Sequence, residues 1–430
     1  MRQFVRWLVA QFAVDRRVLA LAFARMADGI GNSFLIIVIP LYVSSGLVGG
    51  PTFGLAESML IGLILSLFGF LNSSFQPLTG RLSDRTGRRK PFILIGLAGL
   101  AVTNLAYVLA ETYAALVVIR GLQGVSVSFI IPASVALVNE LATTEDRGGN
   151  MGVYNTFRLV GFGAGPVAAG AVVNLGPYRL GGLTLSGFDA AFYVAAITAT
   201  ISYLLVTVLI TDPESTQANA GADLSIDVLD RSGPNLLDPI FTLGVASLFM
   251  AAAIALFATI QPQVNARLEQ GSTWFGLQFA AFIVAQIVLQ TPIGRACDRY
   301  GRRPFILGGM IVLIPSTLVQ GFVLTSEAMF LARLAQGIAG AMVFAPSLAL
   351  AGDLAGEGES GSKLSVLTMA FGFGIAVGPF ASGALVGYGF AAPFVFGTVL
   401  ASLGAILVYT QVEETLETTA SVSLPFVGGD

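Results

Sequence analysis

The chain has 430 residues, 55% of them hydrophobic and 11% charged, with a mean hydropathy of +0.81 and a formal net charge of −3. That much apolar surface exceeds what a water-soluble core can hide, and the slightly acidic balance offers no footprint for nucleic acid. One cysteine and no histidine exclude an internal disulfide, the usual soft metal ligands and the common nucleophile-and-base sites, so no metal, no cofactor and no enzyme is expected.

Apolar runs of about 20 residues are long enough to cross a roughly 30 Å hydrocarbon layer as helices. The sequence predicts twelve, at 19–43, 55–79, 91–110, 113–138, 150–175, 188–211, 239–263, 273–293, 304–325, 328–351, 362–388 and 390–411. The expected fold class is therefore an all-α membrane protein, in contact with lipid along its whole belt. Sixteen Lys and Arg fall in or beside the loops on the side of the N-terminus and only two, Arg179 and Arg267, on the other. Basic residues concentrate in cytoplasmic loops, so both termini are expected in the cytoplasm and the chain in the cell membrane.

Residues 1–17 carry the apolar patch Trp7 to Ala10 and Phe12 to Val14 and no small-residue cleavage pattern, which predicts an interfacial helix and not a removed signal peptide. In the first span Arg25, Asp28 and Asn32 recur at helical spacing and share a face. An ionised Asp near mid-bilayer costs about 2.5–3.5 kcal/mol even on the mildest scale, so Asp28 must point inward and find a partner. Arg25 has the plainer option of snorkelling to the surface. The second span opens on Glu57 at the rim and closes on the row Ile64, Phe68, Asn72 and Gln76.

Six charges then fall in the eleven residues from Gly80 to Lys90. Gly80 allows a helix end to pack closely, Gly87 permits a tight turn, and Asp84 is placed to accept hydrogen bonds from a helix N-terminus. Arg85 and Arg88 can bridge to Glu140 at the end of the fourth span. The pattern returns as Gly294, Asp298, Arg299 and Arg302, with Asp353 standing 213 positions after Glu140, so each half is expected to hold the same conformational clamp.

Two further echoes share the offset: Arg120-Gly121-Leu122-Gln123-Gly124 against Arg333 to Gly337, and Gly161 to Gly170 against Gly374 to Gly383. Matches at one offset mean duplication. Residues 18–211 and 239–411 are accordingly expected as two six-helix bundles, joined by an acidic linker at 212–238 and followed by a cytoplasmic tail at 412–430.

The paired loops look like the Gly-x-x-x-Asp-Arg-x-Gly-Arg-Arg signature of the major facilitator superfamily. Arg120-x-x-Gln123-Gly124 resembles that superfamily's helix-four motif, and Gly161-x-x-x-Gly165-Pro166-x-x-Ala169-Gly170 its helix-five motif, which is associated with proton-driven exporters. The resemblance implies two pseudo-symmetric halves, alternating access around a midplane site, and a first-half Arg120 that faces the cavity. Read from the residues alone, Gly161 and Gly165 form a small-residue strip for close helix packing and Pro166 a kink. Gly378 and Pro379 repeat both in the second half, which departs from the usual restriction of the exporter motif to the first.

Polar amides on helical rows suggest the cavity wall: Gln261 and Asn265 at the seventh span, Gln278, Gln286 and Gln290 with Phe282 on the eighth, and Asn32 and Gln123 in the first half. Each could equally be glue between helices. Features present in both halves are candidates for architecture and those in one half for chemistry, which isolates Arg25, Asp28, Glu57 and Arg158. Asp28 is the expected proton carrier, with Arg158 or Arg120 as a charge partner that tunes its proton affinity by approaching or withdrawing.

No Gly-x-x-x-x-Gly-Lys-Ser/Thr loop is present to drive transport with a nucleotide. The expectation is a monomeric transporter exporting a small organic solute against protons, of the multidrug antiporter type. Sodium in place of the proton, import of a sugar, organic anion or metabolite, and a sensor or lipid translocator on the same scaffold are the alternatives.

Overall fold

The computed structural model describes residues 15–141, 147–180, 182–212, 228–230, 235–354 and 360–415. The interfacial helix expected at 1–17, except its last three residues, lies outside the described residues, as do most of the linker and of the tail.

Among the described residues, twelve helices are long and apolar enough to cross a membrane. They are α1 (Arg16–Ser44), α2 (Glu57–Thr86), α3 (Lys90–Ala106), α4 (Tyr113–Glu140), α5 (Arg147–Leu175), α6 (Gly187–Leu209), α7 (Pro239–Thr259), α8 (Ser272–Tyr300), α9 (Arg303–Gln320), α10 (Ser326–Leu354), α11 (Ser360–Leu385) and α12 (Ala392–Gln411). Several outrun their apolar runs. The backbone stays helical into the charged interface until a residue breaks the dihedral pattern: α2 ends where Gly87 takes φ 61°, and α8 where Gly301 takes φ 97°. Two small elements are absent from the expected list, a hairpin of Tyr178–Leu180 with Leu183–Leu185 and a short helix Gln261–Arg267.

Caps fix the helix starts. The Thr112 hydroxyl accepts from Ala115 N, Ser186 and Asp189 form a capping box, and the Asp238 carboxylate accepts from the amides of Ile240 and Phe241.

The two sets of six helices are wired alike. α1 packs on α5 and α6, α2 and α3 on α4, and α3 on α6; α7 packs on α11 and α12, α8 and α9 on α10, and α9 on α12. The sets meet through α2 on α11 and α5 on α8. Small residues make these seams. A Cβ at Gly161 would strike the Met26 backbone and one at Gly165 the Ile30 backbone, so α5 lies directly on α1; Gly378 stands in the same relation to Ala252. The cross-set seams use Gly62 against the Pro379 carbonyl, Gly276 against the Pro166 carbonyl, and Gly170 against Ser272. Apolar side chains such as Ile95, Val102, Val208, Leu403 and Ile406 stay exposed on the periphery, where lipid would meet them.

Candidate functional site: interior charges and paired clamps

Arg25 and Asp28 form an ion pair, one turn apart on α1, with Asp28 only 3% exposed. Helical i,i+3 spacing puts the two side chains on one face, and burial leaves them no better partner. They look into a small internal space lined by Leu21, Ala24, Ile93, Leu97, Ile130, Ser134 and Val206, between α1, α3, α4 and α6. Asp28 therefore has Arg25 as its guanidinium, not Arg158 or Arg120, and Arg25 does not snorkel. The sequence places Arg25 on the face of Asp28 and among the features of one half only; its pairing with Asp28 is what the structure adds.

Arg120 is buried, donates to the Gln123 Oε1 at 3.0 Å and stacks 4.4 Å over the Phe68 ring. Gln123 also accepts from the Tyr107 hydroxyl at 2.8 Å and donates to Asn104. Arg333 repeats the arrangement on Gln336 and Phe282, and adds the rings of Phe257 at 4.4 Å and Phe279 at 5.6 Å. Arg120 thus sits inside its own bundle and not on an open wall. Aromatic faces and amide oxygens supply the partial negative charge both guanidiniums need. Arg158, on α5, is half-buried; its Nε donates to Asn155 Oδ1 at 2.9 Å. Among the described residues no carboxylate lies within ion-pair distance of Arg120, Arg158 or Arg333.

The expected cavity amides divide. Gln278 is fully buried and exchanges hydrogen bonds with Gln270, which also donates to Asn265 Oδ1 at 3.2 Å; Gln278 also donates to the Ser326 carbonyl, tying α8 to the start of α10. Phe282 is buried on Arg333, and Gln123 belongs to the network above. Gln261 is fully buried with neither end of its amide bonded. Asn32, Asn265, Gln286 and Gln290 are half-buried. Glu57 is exposed at the rim and accepts from the Ser44 hydroxyl.

The clamps are built, with a change of arginine. Arg89, 3% exposed, donates to Asp84 Oδ1 at 2.5 Å and doubly to Glu140 Oε1 at 2.8 and 3.0 Å, joining the α2–α3 loop to the end of α4. Arg85 and Arg88, the expected bridges, are exposed. Burial works against the charge on Arg89, but hydrogen bonds to Glu140 and Asp84 and their negative charge outweigh it and hold the group above the ordinary arginine range. In the second half Arg302 joins Asp353 and, at 3.7 Å, Asp298, while Arg299 lies over the Tyr300 ring. A Cβ at Gly80 would make only ordinary contact with Pro132 of α4, at 3.4 Å, and Gly294 has open space around it, so close packing requires neither glycine here.

Asp84 does not serve a helix N-terminus. Asp212 does, accepting from the amides of Arg89 and Lys90 at 3.1 and 2.8 Å, and Glu414 accepts from Arg303 N at 2.8 Å. An acid just beyond the last helix of each set was the signal available, masked by the other acids around it. Among the described residues no group of three or more acidic, Cys or His side chains could hold a metal ion.

A family model described as Major Facilitator Superfamily matches residues 21–260 and 240–424. Multidrug resistance protein 2 of Bacillus subtilis is 25% identical over 178 residues, 41% of this chain and 44% of that protein. An uncharacterized MFS-type transporter, MJ1560, of Methanocaldococcus jannaschii is 31% identical over 173 residues, 40% of this chain and 42% of that one. The matched stretch is thus less than half the length of either relative. The crystal structure of a bacterial homolog to the human lysosomal transporter Spinster, inward-facing and occupied, superposes with a TM-score of 0.75 over 91% of this chain and 95% of that chain, at 12% identity, and so speaks to the fold alone. With twelve spanning helices wired twice over and a clamp at the same place in each set, the chain belongs to the Major Facilitator Superfamily of membrane transporters.

Proposed function

We propose that the chain is a proton-coupled secondary transporter that moves a small amphiphilic organic solute by alternating access, with Asp28 carrying the proton. The supporting observation is the buried Arg25–Asp28 pair. Asp28 is the one acid in the interior of the spanning helices among the described residues, and it already holds a guanidinium. Protonation turns that pair into a neutral acid beside a free cation, a change of local charge that packed helices must answer by moving. α1, which bears the pair, lies directly on α5, and α5 meets the second set through α8, so a shift at Asp28 has a short route to the seam.

Export is the direction supported by the likeness to a protein named for multidrug resistance. Import has a chemical argument of its own. Protonating Asp28 frees Arg25 on a stretch of α1 that Arg158 packs against, so positive charge in this region rises with the proton, and an anion would load together with it.

Proteoliposomes loaded with a pH-sensitive dye test the coupling. Addition of a transported amphiphile should shift the lumenal pH in the wild type, and Asp28→Asn should bind the same compound yet produce no shift. An unchanged shift in that variant removes Asp28 from the mechanism, and a shift that requires sodium replaces the proton by that ion.

A further inference from the structure

We infer that the transported solute carries an anionic group and that Arg158 is the side chain that holds it. The inference rests on the transporter reading above and names its solute class; it does not depend on Asp28 being the proton site or on direction.

Charge inventory comes first. Away from their ends, the spanning helices contain Arg25, Arg120, Arg158 and Arg333 and, among the described residues, the single acid Asp28. Arg25 is neutralised by Asp28, and Arg120 and Arg333 are enclosed by rings and amides that recur in both sets, as a scaffold would. Arg158 differs on each point. Position 371, its counterpart at the 213-residue offset, is Phe371. Its guanidinium has one bond, to a neutral amide oxygen, and is half-buried. It lies against the stretch of α1 that bears the pair, where a Cβ at Gly29 would stand 3.2 Å from the Arg158 carbonyl. A guanidinium kept in that position without a carboxylate is costly unless an anion arrives to complete it.

Position comes second. Arg158 is eleven residues into α5, about 16 Å from the helix start at 1.5 Å per residue, too deep to be a surface charge. It stands one turn from Phe162, whose ring is 6.0 Å from Phe279 of α8, and three residues before Gly161, which packs on α1, so it lies on the edge of α5 between α1 and the second set. The seam has a register: Gly170 meets Ser272, Gly276 meets Pro166, and Phe162 meets Phe279. Continued by one turn, that register brings Arg158 to the level of Ile283 and Val284 of α8, so it stands beside the seam. A planar five-donor fork held only by the neutral Asn155 amide suits a carboxylate, sulfonate or phosphate, and the excess of guanidinium repels an organic cation.

The experiment uses the full chain in lipid nanodiscs and matched triplets that differ only in the polar group: carboxylate, carboxamide and ammonium on naphthyl, indolyl and long-alkyl bodies. Binding is measured by calorimetry. In the wild type at least one carboxylate should bind about tenfold more tightly than its amide, and the ammonium compound should be weakest. Arg158→Gln should bring the three members of that triplet level while the melting temperature stays close to wild type, and Arg158→Lys should restore part of the preference. A merely structural arginine would weaken all three alike. Asp28→Asn should keep the anion preference, so loss of proton coupling without loss of preference leaves this inference standing. Preference for the ammonium member, no carboxylate exceeding its amide in any triplet, or a carboxylate preference that survives Arg158→Gln overturns it.

Discussion

Removing one member of a buried ion pair strands the other, and the penalty for that exceeds whatever the pair contributed. Arg25→Gln should therefore destabilise the protein by roughly 3–5 kcal/mol, read as a fall in the thermal unfolding midpoint in nanodiscs, whereas Arg25→Gln with Asp28→Asn should recover most of it. A double variant no better than the single would mean the two side chains act separately. At this scale the sequence was legible wherever a residue was out of place in lipid: Asp28 could not be left without a partner, and the partner is there. It was illegible wherever one side chain suits two environments. An amide row such as Gln278, Phe282, Gln286 and Gln290 reads the same facing a crevice or a neighbouring helix, and only packing separates buried Gln278 from half-buried Gln286.

Between elements, the two clamps show how a duplicated segment diverges without losing its purpose. Counting from the aspartates, Arg88 corresponds to Arg302 and Arg89 to Arg303, yet the bridging arginine is Arg89 in the first set and Arg302 in the second. Arg89 is the last residue before α3 and points back under Asp84; in the second half the residue before α9 is Arg302, and Arg303 is drawn off to the Tyr409 carbonyl at 2.7 Å. Spacing alone could not choose within either Arg-Arg doublet. Arg89→Gln should cost several kcal/mol and Arg88→Gln no more than about 0.5 kcal/mol, with Arg302→Gln and Arg299→Gln falling in the same order, as measured by denaturant or thermal unfolding. Equal effects of Arg88→Gln and Arg89→Gln would refute the assignment. Asp212→Ala removes a helix cap and should cost about 1 kcal/mol, while Asp212→Asn should keep most of it.

Over the whole molecule, the repeat offset of 213 was enough to anticipate two matching sets of helices, because a duplicated chain that folds at all folds twice. What it could not give was the way the sets close on each other, since that depends on seams no single helix reveals. Those seams can be locked. A Cβ at Gly69 would lie 3.2 Å from the Ala376 Cβ, and one at Gly163 would lie 3.3 Å from the Ile283 Cβ, each a few tenths of an ångström under the usual disulfide spacing. In a Cys297→Ser background, Gly69→Cys with Ala376→Cys and Gly163→Cys with Ile283→Cys should each cross-link on mild oxidation, arrest transport, and recover it on reduction. Transport at full rate in the oxidised protein would mean that this closure is not part of the cycle. The caps at Asp212 and Asp238 bear on assembly in another way. Asp212 binds back to α3 and Asp238 to α7, so the stretch between them begins and ends fastened to separate bodies. Peptide continuity there is then dispensable: two co-expressed fragments severed near position 220 should find each other in the membrane and complement, as two subunits would.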